Sequence, residues 1–156
     1  MSRTVRPDHS TPLLEEQTFV ALMRAADHAQ RRVAEMLKAH ELSPTQYNAL
    51  RILRGAGPDG LPCTVIGERM INRDPDITRL MTRLEKRGLV QRSRQKQDRR
   101  VIKARITARG LTLLNRMDPE VNEFQRGLLG HMGERKLTEL IRLLEETESP
   151  TGNEPG

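Results

Sequence analysis

The hydrophobic pattern of the chain changes its period at Gly88, and this change constrains the fold more than any other feature. Before Gly88 the apolar residues follow the i, i+3, i+4, i+7 spacing of one helix face: Ile77, Leu80, Met81 and Leu84. After it, residues 101–107 alternate apolar and polar side chains, as a half-buried strand does. Residues 90–94 can pair with that strand around a polar tip at 95–100. The pattern predicts a helix that stops at Gly88 and an antiparallel hairpin behind it.

Upstream, periodicity and capping residues indicate two more helices. Residues 13–40 contain no Gly or Pro, and apolar side chains recur there at near-helical spacing, so we expect a long first helix. Ser43 and Gln46 can form a capping box around Pro44, which predicts the start of a second helix. That helix should end where the Gly- and Pro-rich loop of residues 55–62 begins.

A short helix over residues 63–71 and a tight polar connection precede the helix that ends at Gly88. Asp74 is the expected N-cap of that helix, with Pro75 in its first turn. Two short helices joined by a tight turn are typical of a helix-turn-helix, and the hairpin behind them would form a wing.

Two further helices follow the hairpin. Thr107 can cap a helix that runs to about residue 128, in which Pro119 is expected to cause a kink or a break. A last helix is predicted over residues 134–146. The chain has only three aromatic residues, so its core must consist of aliphatic side chains and methionine, which favours helices. The predicted fold is mainly α with a small β-hairpin wing (α+β).

Positive charge is concentrated in one stretch of the chain. Residues 73–109 hold 13 Lys and Arg against four acidic residues, whereas acidic residues exceed basic ones in the remainder. Such a local excess is the electrostatic footprint of a surface that binds a polyanion, although a solvated charged face would give the same composition.

Helical geometry selects the side chains that lie opposite the buried face of the helix before Gly88. They are basic or carry hydroxyl groups: Thr78, Arg79, Thr82, Arg83 and Lys86. An arginine can hydrogen-bond guanine in the major groove, and a threonine can contact a phosphate or a thymine methyl group. We therefore expect this face to bind duplex DNA.

The hairpin is more strongly basic than the helix. Its cations are Arg92, Arg94, Lys96, Arg99, Arg100, Lys103 and Arg105. Their mutual repulsion is costly without a polyanionic partner, and a basic hairpin tip fits the narrow minor groove. The expected DNA contacts at the tip are Arg94, Lys96, Arg99 and Arg100. Asp98 is expected to structure the wing by holding an arginine side chain, that of Arg100.

Other function classes lack the residues that they need. Cys63 is the single cysteine, which excludes an intrachain disulfide and a thiolate zinc cluster and favours a packing role over a redox role. The four histidines show no metal-ligand spacing, so we expect no metal and no cofactor. The sequence has no phosphate-binding glycine loop and no nucleophile motif, so we do not expect an enzyme. No apolar run reaches the roughly 18 residues of a membrane span, which predicts a cytoplasmic protein without a membrane partner.

Three segments resemble the MarR family of transcriptional regulators. The motif Asp-Arg-Arg at 98–100, followed by Ile-Thr-Ala-Arg-Gly at 106–110, is similar to the family's wing signature, with Ile106 in place of the usual leucine. Residues 77–90 are similar to the family's recognition helix, and residues 42–47 to its second helix. The likeness extends over about residues 13–146.

The resemblance implies a sequence-specific DNA-binding regulator, a repressor, that binds a pseudo-palindromic operator as a homodimer. In that arrangement the first and last helices of two subunits interlace. The expected domains are a flexible arm (1–12), dimerisation helices (13–40 and 111–147), the winged helix-turn-helix (42–110) and a disordered tail (148–156).

The resemblance also implies a small phenolic or anionic effector that enters a cleft between the dimerisation helices and the DNA-binding region. Met36, Tyr47 and Arg51 are candidate lining residues, equally well explained as core or surface positions. The alternative function is a winged-helix module that binds protein without sequence-specific DNA binding, for which seven hairpin cations would have no use.

Overall fold

A computed structural model describes residues 13–72 and 76–148 of the chain. The expected arm at 1–12, the Asp74 cap with Pro75, and residues 149–156 of the expected tail lie outside the described residues. The chain divides into two compact units, one that ends at Tyr47 and one that begins at Asn48.

The first unit consists of a long helix and the start of a second. Helix α1 spans Leu14–Lys38 and has Leu37 as its buried residue. Helix α2 spans Pro44–Ala56, so Pro44 lies in the first turn as expected. The predicted capping box is confirmed: the Ser43 hydroxyl accepts from the Gln46 backbone N at 3.1 Å, and Gln46 Oε1 accepts from the Ser43 backbone N at 3.0 Å.

The second unit opens with the rest of α2, which buries Ala49, Leu50 and Leu53. The following loop was expected to lack regular structure, but its end forms a two-residue strand, β1, Leu61–Pro62. Two residues are too few to show an alternating pattern, which is why the sequence gives no sign of this strand. Helix α3 spans Cys63–Arg69 and is two residues shorter than predicted, because Met70 has extended backbone angles.

Helix α4 spans Ile77–Lys86 and is capped by Asp76, whose side chain accepts from the backbone N of Arg79 at 2.9 Å. The cap is thus two residues later than the predicted Asp74. The predicted stop is confirmed: Gly88 has a φ of +71°, and Leu89 N donates to Leu84 O at 3.0 Å.

The hairpin is confirmed as strands β2, Val90–Arg94, and β3, Ile102–Ile106. They pair antiparallel with Arg92 opposite Ala104, and β1 adds to the other side of β3. The sheet order is β1-β3-β2, so β2 is an edge strand. Gly60 lets β1 approach, since a Cβ there would lie 2.2 Å from Ala104 O.

Helices α5, Ala108–Leu129, and α6, Glu134–Glu148, complete the chain and are joined by a 3₁₀ turn at Gly130–Met132. Thr107 caps α5 as predicted, accepting from Gly110 N at 3.1 Å. Helix α5 continues through Pro119, so the break that was one of the two expected outcomes does not occur; Leu114, Met117 and Val121 are buried on both sides of the proline and stabilise the helix by packing.

The core of the second unit is aliphatic, with methionine and without aromatic residues. Its fully buried side chains include Leu50, Leu53, Ile66, Met81, Leu84, Leu114 and Met117. Of the helices in the described ranges, none is long and apolar enough to cross a bilayer.

Candidate nucleic-acid interface

Helix α4 separates an apolar face from a polar one, as its sequence predicts. Leu80, Met81 and Leu84 are buried. The side chains expected to meet DNA lie on the other face: Thr78, Arg79, Arg83 and Lys86 are exposed, and Thr82 is half-buried. The burial of one face fixes the rotation of the helix, and this fixes which cations point to solvent.

Thr82 donates its hydroxyl hydrogen to Thr78 O at 2.8 Å. The hydrogen is therefore committed to the helix, and the side chain presents its methyl group and an oxygen lone pair. Such a group can touch a thymine methyl or accept a hydrogen bond from a base amine, but it donates nothing to a phosphate in this rotamer.

Helix α3 leads into α4 through the turn of the helix-turn-helix. Ile71 N donates to Asn48 Oδ1 at 2.9 Å, which ties the start of that turn to α2. Ile71 itself is 83% exposed. Neither residue stood out in the sequence, because the bond joins positions 23 residues apart and one partner is a main-chain amide.

The wing brings the predicted tip cations together on one short hairpin. Arg94, Lys96, Arg99 and Arg100 are all exposed, and Gln95 N closes the tip by donating to Val101 O at 3.0 Å. Within residues 13–72 and 76–148, none of the four forms an ion pair. The tip therefore carries positive charge that the described part of the chain does not neutralise.

Asp98 shapes the tip through the main chain. Its Oδ1 accepts from the backbone N of Arg100 at 2.9 Å, and its carbonyl accepts from Val101 N at 3.0 Å. Asp98 was expected to hold the side chain of Arg100. Its carboxylate instead binds the backbone N–H of that residue and closes an Asx turn. The guanidinium of Arg100 is consequently left to solvent.

Not all wing cations are alike, since Arg92 has a carboxylate partner. Glu85 of α4 accepts from the Arg92 backbone N at 2.9 Å and from Arg92 Nε at 2.8 Å. These two hydrogen bonds hold the pKa of Glu85 below its ordinary value, and the bond from the Arg92 backbone has the larger effect. The sequence patterns did not predict this pair; a glutamate seven residues before an arginine, across a glycine stop, was the available signal.

Thr107 joins the wing to the helices on either side of it. Its hydroxyl donates to Gly88 O at 2.6 Å while accepting from Gly110 N, and its backbone N donates to Leu89 O at 3.0 Å. The end of α4, the root of the wing and the first turn of α5 thus meet at one side chain.

A second polar link lies outside the wing. Arg54 of α2 donates to both carboxylate oxygens of Asp118 in α5, at 2.8 and 3.1 Å. These hydrogen bonds hold the pKa of Asp118 below its ordinary value, and the charge of Arg51 adds to the effect. This pair was also missed, since 64 residues separate its members.

The remaining candidates belong to other helices. Met36 is half-buried on α1, while Tyr47 and Arg51 lie one turn apart on α2, half-buried and exposed respectively. Cys63 is buried, and burial raises the pKa of its thiol, which disfavours the reactive thiolate. In the described ranges no group of three His, Cys, Asp or Glu side chains is placed to hold a metal.

Two successive short helices, α3 and α4, the second with an outward basic face, are followed by a basic antiparallel hairpin. These elements define a winged helix-turn-helix DNA-binding protein. The family model described as "MarR family" matches residues 42–102. The chain is 30% identical to the HTH-type transcriptional regulator MhqR of Bacillus subtilis, over 83% of this chain and 80% of that protein. The chain belongs to the MarR family and is a DNA-binding transcriptional regulator.

Two further relatives agree with this assignment. The homoprotocatechuate degradative operon repressor of Escherichia coli is 28% identical, over 85% of this chain and 88% of that protein. The crystal structure of a MarR transcription factor from Planctomyces limnophilus is 38% identical, over 87% of this chain and 98% of that one, with a TM-score of 0.68. The family and the winged fold expected from the sequence are thereby confirmed.

Proposed function

We propose that this regulator is a repressor that binds a pseudo-palindromic operator as a homodimer, with α4 in the major groove and the wing tip in the adjacent minor groove. The observation that carries the proposal is the exposed basic surface formed by the outward face of α4 and the tip. A binding role of this kind needs no catalytic group and no cofactor, and it places the protein in the cytoplasm with its DNA.

The geometry suggests different roles for the candidate contacts. Arg79, in the first turn of α4, is placed to reach base edges, and Thr82 offers its methyl group beside it. Arg83 and Lys86, towards the end of the helix, are suited to phosphates. The tip arginines suit the minor groove, whose narrow regions attract guanidinium groups.

Dimerisation is proposed from helices that lack enough cover in a single chain. No residue of α6 is buried, although its 15 residues carry Ile141, Leu143 and Leu144 in exposed positions. In α1, Leu14, Phe19 and Met23 are exposed as well. An isolated helix of about this length is marginal in water, so a partner must stabilise it. The dimerisation helices at 13–40 and 111–147 and the winged region at 42–110 remain part of this proposal.

An effector that releases the operator is also part of the proposal. Its support is the name of the Escherichia coli relative, a repressor of a degradative operon for a phenolic acid. A phenolic or anionic ligand that favours one spacing of the two winged regions would lower operator affinity by shifting the population of conformers. Met36, Tyr47 and Arg51 are its proposed contacts.

The salt dependence of DNA binding tests the function directly. If the dimer makes six or more phosphate contacts, its operator affinity should fall about a thousandfold between 50 and 200 mM salt. Arg100→Ala should weaken binding about tenfold while the dimer stays intact, whereas Arg116→Ala, an exposed position in α5 with the same charge change, should have little effect. A salt-independent affinity would instead support a protein-binding module.

A further inference from the structure

The Glu85–Arg92 pair has an unusual position for an ion pair in a DNA-binding surface. Glu85 lies in the last turn of α4, and Arg92 lies in the middle of β2. The side chains are 36% and 24% exposed, so Arg92 is more enclosed than the tip cations. A carboxylate here lowers the positive potential that attracts DNA, which is an electrostatic cost to binding. The pair therefore needs an explanation other than attraction to phosphate.

Both carboxylate oxygens of Glu85 are used on one residue. One accepts the main-chain N–H of Arg92 at 2.9 Å, and the other accepts its Nε at 2.8 Å. Because β2 is the edge strand of the sheet, Glu85 also satisfies an N–H group of an exposed edge. The contact thus fixes the main chain of β2 as well as a side chain, and charge-assisted bonds of this kind are strong.

The connection that this contact spans is short. Only Arg87, Gly88 and Leu89 lie between α4 and β2, and Gly88 adopts a left-handed conformation. Main-chain bonds fix the turn itself, but the direction of the strand beyond it depends on contacts farther along. Glu85 supplies such a contact four residues past the glycine.

We propose that Glu85 is a positioning residue for operator recognition: through Arg92 it fixes the root of the wing relative to α4, so that both reach their grooves together. This inference rests on the proposed function. Preorganisation increases affinity by avoiding an ordering cost on binding, and only a site that matches both elements benefits from it. Non-specific binding depends on charge alone and does not benefit.

The two effects of Glu85 have opposite signs, which makes the proposal testable. Glu85→Gln removes one negative charge per subunit while preserving the shape and one acceptor oxygen. Electrostatics alone predicts tighter binding to any duplex. Positioning predicts weaker binding to the operator and equal or tighter binding to other DNA.

The experiment measures the dissociation constants of the full chain for two duplexes at one salt concentration. One duplex is selected from a random-sequence pool by the wild-type protein, and the other is a scrambled duplex of the same composition. The specificity ratio is the dissociation constant for the scrambled duplex divided by that for the selected duplex. For Glu85→Gln we expect this ratio to fall about tenfold. For Glu85→Ala it should fall further, since the acceptor is lost too.

Glu68→Gln is the matched control. Glu68 is exposed on α3, carries the same charge and has no ion pair in the described part of the chain. It should leave the ratio unchanged. A variant with a reduced folded fraction would weaken binding to both duplexes equally, so the ratio separates positioning from stability.

A double-mutant cycle with Arg92→Gln completes the test. If the pair acts as a unit, the double variant should lose no more specificity than either single variant. An unchanged or increased ratio in Glu85→Gln, or additive losses in the cycle, overturns the positioning role while leaving the proposed function intact. If the wild-type protein itself fails to distinguish the two duplexes, the proposed function fails, and the positioning role with it.

Discussion

Gly110 shows how one residue can be required by packing alone. It lies in the first turn of α5, where a Cβ would stand 2.4 Å from Leu89 O and 2.7 Å from Ile106 Cγ1. Any side chain would push the helix away from the root of the wing, and the bonds of Thr107 to Gly88 and Gly110 would be strained. This accounts physically for the glycine that ends the motif at 106–110.

Gly110→Ala should therefore lower the free energy of unfolding by about 1–3 kcal/mol, because the new methyl group overlaps a main-chain oxygen that cannot move freely. Gly127→Ala is the control in the same helix. A Cβ there meets nothing within 4 Å of the chain, so alanine should raise stability by about 0.5–1 kcal/mol through its helix propensity. Urea unfolding monitored by circular dichroism measures both; equal effects would contradict the steric account.

At the scale of elements, sequence reasoning succeeded where the signal was local. The capping box at Ser43 and Gln46, the stop at Gly88 and the cap at Thr107 each involve residues within a few positions of one another, and all are present. The outward face of α4 followed from periodicity in the same way. A local pattern reports on local geometry because the partners are fixed by the helix itself.

Sequence patterns did not predict contacts in which the second residue is distant in the chain or contributes a main-chain group. Strand β1 exists only because β3 lies beside it, and Arg54 finds Asp118 across 64 residues. A break at Pro119 was one expectation from the local cost of a proline in a helix, but α5 continues through it because its neighbours there are buried. Asp98 was expected to hold an arginine side chain, but its carboxylate accepts from the backbone N–H of Arg100. Tertiary context decides each of these.

The Arg54–Asp118 link between α2 and α5 makes a prediction about pH. Hydrogen bonds from Arg54 lower the pKa of Asp118 in the folded chain, so the pair contributes fully above the ordinary aspartate pKa and is lost as the pH falls through the lowered value. The difference in unfolding free energy between wild type and Asp118→Asn should be constant from about pH 5 to 8 and shrink below about pH 4.

Urea unfolding at a series of pH values measures this difference. The control is Glu123→Gln in the same helix, because Glu123 and Arg126 are 3.9 Å apart with both side chains more than three-quarters exposed. Such a pair contributes little at any pH. A pH-independent effect of Asp118→Asn would mean that the carboxylate charge does not stabilise the link.

At the scale of the whole molecule, the exposed apolar residues of α6 require an explanation that a single chain does not provide. Ile141 is 57% exposed, and helix α6 has no buried residue to hold it. A homodimer would remove this surface from water, at about 25 cal/mol for each Å² of apolar area. It would also supply the two winged regions that a pseudo-palindromic site needs.

Ile141→Glu places a charge at this surface and should convert the dimer to a monomer, because burying one glutamate from each subunit in the interface carries a large desolvation cost. Arg135→Gln, at an exposed position about 120° around α6 from Ile141, changes the net charge equally and should leave the dimer intact. Light scattering coupled to size-exclusion chromatography gives the mass of each variant. Operator affinity should fall with the dimer, since a monomer makes half of the phosphate contacts and its salt dependence should be correspondingly shallower. A monomeric variant that retained full operator affinity and salt dependence would show that one winged region suffices, and the symmetric binding mode would have to be abandoned.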